Sequence, residues 1–276
     1  TTPAAATIGI MSPLRVFLAA AIVTAATSAV AATNDFDFLV GEWRVHHRRL
    51  KPAADEWVEF EGTCSNRKLL DGAANIEEHA LNAPSGAYRA IGLRAYEAKS
   101  GEWAIWWLDE RYPTGPLGPP VKGRFENGVG RFYSDYTQDG KAMRVRFLWS
   151  DITPTSARWE QSSSADGGKT WAANWIMEFR RKTSRPTPPG SDRAVASDFG
   201  FLRGHWHVHH RYLRVKGTRR DWVDVDGTAS LRDAMGAKAN VEEHTIQAPG
   251  AAYRAVALRA FDPKSSQWSI WWLDGR

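Results

Sequence analysis

Phe38-Leu39-Val40-Gly41-Glu42-Trp43-Arg44-Val45-His46-His47-Arg48 returns 163 residues later as Phe201-Leu202-Arg203-Gly204-His205-Trp206-His207-Val208-His209-His210-Arg211. After a two-residue insertion the match continues at an offset of 165. Trp57 falls on Trp222, Gly62-Thr63 on Gly227-Thr228, and Glu77-Glu78-His79 on Glu242-Glu243-His244. Tyr88-Arg89-Ala90 falls on Tyr253-Arg254-Ala255, and Trp106-Trp107-Leu108-Asp109 on Trp271-Trp272-Leu273-Asp274. About 40 of 72 alignable positions are identical, so one unit occurs twice. The period is far above the roughly 20–50 residues of stacked solenoid repeats, which makes this a duplicated domain.

Within the unit, helical periodicity is nearly absent. Short runs rich in Val, Ile, Trp, Tyr and Phe alternate with turn signals such as Asp71-Gly72, Ser100-Gly101, Asn127-Gly128 and Asp139-Gly140. Ten strands are predicted in the first copy, at 41–50, 56–64, 74–81, 87–96, 102–109, 119–126, 129–136, 142–150, 156–163 and 171–181. Short links in chain order favour a meander, and a meander of this length closes to remove its edges. The expected class is all-β: an antiparallel up-and-down barrel of about ten strands around a cavity, with a two-sheet sandwich as the alternative. Thr183 to Ser191 is Pro-rich and reads as a semi-stiff linker. The expected division is upstream residues plus a signal peptide at 1–31, a first barrel at 35–182, a linker at 183–196 and a second copy at 197–276. That copy has no counterpart of 112–182, so it is expected to be incomplete at its C-terminus.

The N-terminal expectation rests on Met11, the single charge Arg15, the apolar run Val16 to Val23, and Ala29-Val30-Ala31 as a small-x-small cleavage site. A periplasmic or secreted protein with no stable membrane anchor after cleavage follows. Cys64 is the one cysteine, which excludes an intramolecular disulfide and a multi-cysteine zinc site. The 36 Lys and Arg against 31 Asp and Glu give +5 with no run of like charge, so nucleic acid is not an expected partner. No Gly-rich phosphate loop or nucleophile elbow is present.

The opening Phe38-Leu39-Val40-Gly41-Glu42-Trp43 resembles the Gly-x-Trp start of calycin-type barrels: lipocalins, fatty-acid-binding proteins and nitrobindin-like haem barrels. The full motif set resembles an uncharacterised group of secreted bacterial proteins of that superfamily. The resemblance implies that Trp43 closes one end of the barrel, packed by an arginine of the last strand, Arg180 or Arg181. It thereby implies structural roles for Gly41, Trp43 and that arginine. It also implies a small apolar or carboxylate-bearing ligand, or an enzyme of lyase, isomerase or hydrolase type using His/Glu acid–base chemistry.

Strand alternation gives candidate ligand-binding residues. Trp43, Val45 and His47 share a face. Glu77 and His79 share a face of a later strand, and both recur in the second copy. A His47–Glu77–His79 cluster could hold a proton or a metal, though no cofactor is expected; haem or a metal is the secondary expectation. The resemblance to calycin barrels further implies Arg89, Arg144 and Arg146 as candidates for gripping a ligand carboxylate, and Trp107 is a candidate for lining a cavity. Ser164-Ala165-Asp166-Gly167-Gly168-Lys169-Thr170-Trp171 matches the Asp-box hairpin of sialidase-like propellers. A propeller needs several such boxes, so Asp166 is expected to be structural.

Overall fold

The computed structural model describes residues 33–51, 55–113, 117–182 and 198–276. The signal peptide and the linker expected from the sequence lie outside these residues. Ten strands form the first copy: β1 Gly41–Leu50, β2 Trp57–Leu69, β3 Ala74–Ala83, β4 Gly86–Glu97, β5 Glu102–Asp109, β6 Val121–Glu126, β7 Val129–Gln138, β8 Lys141–Ser150, β9 Ser156–Ser164 and β10 Ala172–Arg181. Each pairs with the next in chain order, and β1 pairs antiparallel with β10, so the sheet closes into the expected barrel rather than a sandwich. β2 runs five residues past its predicted end, because Asn66 to Leu69 keep pairing with β3 as far as Leu69↔Ala74. Among the described residues no helix is long and apolar enough to cross a membrane.

Alternation decides what fills the barrel. Trp43, Val45 and His47 of β1 are buried, while Arg44 between them is exposed. One end is packed solid by Phe36, Trp43, Trp103, Phe132, Trp149 and Phe179. The turn Asp37–Leu39 lies over this end: Trp43 Nε1 donates to Leu39 O at 2.7 Å. Of the two candidate arginines, Arg181 is the clamp. It sits 4.1 Å over the Trp43 ring and donates to Val40 O and Phe38 O at 2.7 and 2.6 Å. Arg180 points outward and is exposed, by the same alternation. Gly41 has φ +121°, and a Cβ there would stand 2.8 Å from Arg181 Nη1, so a side chain would strain the backbone and crowd the clamp.

Asp166 organises the β9–β10 hairpin. It accepts from the backbone of Lys169 and Thr170 at 2.9 and 3.0 Å and from Thr170 Oγ1 at 2.6 Å, while Ser164 Oγ donates to it at 2.7 Å. These bonds hold its carboxyl well below the usual range, the Thr170 hydroxyl contributing most.

The second copy is an open antiparallel sheet of β11 Gly204–Lys216, β12 Arg219–Ala234, β13 Ala239–Ile246, β14 Tyr253–Asp262 and β15 Gln267–Asp274. Its outer face packs on the outer face of β3 and β4 through a second apolar cluster that includes Ile76, Ile91, Leu93, Val241, Val256 and Leu258. Its concave face leaves Trp206, Ile270 and Trp272 exposed.

Candidate functional site

Above the packed end, the inward positions of β1 to β4 carry a polar network. Glu77 and His79 of β3, Cys64 and Asn66 of β2, Asn75 of β3 and Arg94 of β4 are all buried. Arg94 Nη2 pairs with Glu77 Oε2, and its Nη1 donates to Asn75 Oδ1 at 3.0 Å. The Cys64 thiol donates to Glu77 Oε1 at 3.0 Å, and Asn66 donates to Asn75 at 3.1 Å. Burial alone would raise the Glu77 carboxyl. The Arg94 guanidinium, with His79 and the thiol, overrides this and holds it well below the usual carboxylate range. The Cys64 thiol is pushed well above its ordinary value by burial and by that carboxylate, so it stays protonated and inert.

His47 stacks on Phe60 with ring centroids 4.7 Å apart and planes 7° apart. Trp175 Nε1 donates to its Nδ1 at 3.3 Å, which places the proton on Nε2. That Nε2 has no partner and points at Gly62, where a Cβ would come within 2.8 Å of it. Burial, then the neighbouring His79, push the His47 imidazole down to about 3. His79 Nε2 lies 3.3 Å from Glu77 Oε1, while its Nδ1 has no hydrogen-bond partner. Its ring contacts Trp107 at 5.1 Å, and Trp107 meets Trp175 edge-on at 5.7 Å.

Beyond this layer the inward side chains Arg49, Trp107, Val145, Phe147 and Gln161 are only half-buried, which marks the end open to solvent. Arg49 lies 4.6 Å over the Trp175 ring and donates to Tyr88 Oη at 3.3 Å. It has no carboxylate partner among the described residues.

His47, Glu77, His79 and Trp107 thus converge inside the barrel. Arg89 does not. Its neighbours Tyr88 and Ala90 face the core, so Arg89 faces outward, toward the second copy. Arg144 and Arg146 likewise alternate with the core-packed Val145 and Phe147. They lie on the outer face, 4.9 Å over Tyr133 and 4.6 Å over Trp171, bracing the Asp166 hairpin. Arg94, Cys64, Asn75 and Arg49 belong to the interior and were not chosen from sequence. The signal for Arg94 and Asn75 was there, since both recur, as Arg259 and Asn240, with the same bonds to each other and to Glu242.

Donor atoms of Cys64, Glu77 and His79 lie within 4.8 Å of one another, the spacing a cation requires. The fit is poor. Arg94 already neutralises the carboxylate, and Ala229 replaces Cys64 in the second copy.

No protein-family model matches the chain. No curated protein matches it either. A solved structure similar to it is that of the S-type phycobiliprotein lyase CPES from Guillardia theta, at 10% identity and a TM-score of 0.39, covering 58% of this chain and 98% of that one.

Proposed function

We propose that the first barrel binds a small molecule with an apolar body and a carboxylate, in the periplasm or outside the cell, in the manner of calycin-type carriers. One observation supports this most directly. Two buried imidazoles, His47 and His79, each keep one ring nitrogen, Nε2 and Nδ1 respectively, without a hydrogen-bond partner beneath the open end of the barrel. A buried polar atom left unpaired costs roughly 1–3 kcal/mol. A ligand polar group reaching these nitrogens from the open end would recover part of that. Arg49 is the carboxylate anchor in this reading. It is inward, half-exposed, held over Trp175 and without an acidic partner among the described residues.

The enzymatic alternative would use His47, Glu77 or His79 for acid–base chemistry, as a lyase, isomerase or hydrolase. The geometry favours it less. A general base works best with a pKa near the working pH. Glu77 is held ionised by Arg94 and His47 is driven down to about 3, so both are poor proton acceptors at neutral pH.

The test is quenching of tryptophan fluorescence by a panel of fatty and aromatic carboxylic acids, with the matching amides as controls. Binding of an acid, weakened about 10- to 100-fold by Arg49→Met and absent for its amide, supports the reading. A panel with no quenching, or equal quenching by acid and amide, counts against it.

A further inference from the structure

We propose that the outer face of β3–β4 is a homotypic docking face: its partner is the same face of another copy of the unit, and this chain carries that partner in cis. The ion pairs across the contact are reciprocal. Arg67 Nη1 lies 2.5 Å from Glu243 Oε1, and Arg232 Nη1 lies 2.5 Å from Glu78 Oε1. Arg232 is the counterpart of Arg67, and Glu243 of Glu78. Each pair is therefore the other turned about a twofold axis, which is the signature of an isologous interface.

The apolar contact draws on equivalent positions. One cluster holds Ala74, Ile76, Ile91, Leu93 and Leu108 together with their counterparts Ala239, Val241, Val256, Leu258 and Leu273. Arg67, Ala74, Glu78, Arg89, Leu93 and Leu108 are unchanged between the copies, although about 32 of 72 aligned positions differ. Where the symmetry breaks, it breaks in a compensated way. Arg254 pairs with Asp71 at 2.8 Å. At the mirror position Gly236 replaces Asp71, and the Arg89 guanidinium fills the space, 3.0 Å from where a Cβ would stand. The face also lies on the strands that carry Glu77, His79 and Arg94, whose side chains alternate with it.

The barrel closes on itself, and its interior cluster contains no residue of the second copy, so residues 33–182 can be studied alone. Sedimentation at roughly 10–100 μM should show that barrel as a dimer. Arg67→Glu removes two symmetric ion pairs and should weaken the dimer about 100-fold. Adding Glu78→Arg to the same chain restores both pairs in reversed polarity and should recover affinity to within about tenfold. In the full chain, Arg67→Glu should lower the urea midpoint, and Glu243→Arg in the same molecule should restore it. A barrel that stays monomeric across the range overturns the proposal. So does a dimer indifferent to Arg67→Glu, or a full chain in which the second reversal deepens the loss.

Discussion

Burial and the adjacent His79 push His47 to about 3, against 6.5 for an ordinary histidine. Between those values the unfolded chain holds the extra proton, so stability is complete above 6.5 and falls as the pH drops. By pH 4 the loss should reach roughly 3 kcal/mol. Glu77 is also depressed, and with the same sign, but its contribution falls away only below its ordinary value of 4.5. His46 is raised by Glu61 and acts oppositely, yet it is largely solvent-screened. Urea midpoints of residues 33–182 at pH 6.5, 5.5 and 4.5 should therefore decline, and His47→Gln should flatten that decline. Arg94→Met leaves the Glu77 charge buried and unpaired, at a cost of about 3–5 kcal/mol. Arg144→Met should leave ligand affinity unchanged, because Arg144 lies outside the barrel. Alternation from Trp43 was enough to read His47 as inward from sequence. It did not show that Arg89, named as a ligand contact, faces outward while Arg94, five positions on and therefore on the opposite face, faces in. Only the packing of Tyr88 and Ala90 fixes which of the two is inside.

The elements themselves were largely legible. Asn127-Gly128 and Asp139-Gly140 both adopt left-handed backbone, at φ 52° and 76° and at φ 51° and 75°, so these dipeptides carry the hairpin geometry the sequence announced. Less legible was the reach of β2, whose continuation to Leu69 depends on β3 as a partner. The Asp166 hairpin was complete as a motif, and its bonds stay local. Asp166→Ala should lower stability by roughly 1–2 kcal/mol, measured as a shift in the urea midpoint, while leaving ligand quenching unaltered. A lost ligand response at unchanged stability would assign the hairpin to the site instead.

At the scale of the molecule, the duplication was plain from identity alone, but the contact between copies was not. Ile76, Ile91 and Leu93 look like core residues in sequence, and nothing local reveals that they point away from their own barrel. The two copies should also differ in autonomy. Residues 33–182 have paired edges and an enclosed core, so they should melt in one cooperative thermal transition. Residues 197–276 expose β11, β15 and the concave tryptophans Trp206 and Trp272. Expressed alone, that segment should aggregate or stay unfolded; a cooperative transition would refute this.

Arg181 reaches back to Val40 across 141 residues, and β1 waits for β10. On the ribosome, the first five strands emerge long before the residue that locks them. For that interval the nascent unit is the counterpart of β11–β15 standing alone: five strands with unpaired edges and unburied tryptophans. Closure of such distant ends is slow, and exposed strands are the form in which polypeptides clump. The speed of translation through β6–β10, and any holdase that meets the chain before Arg181 does, would then govern how much of this protein reaches its native state.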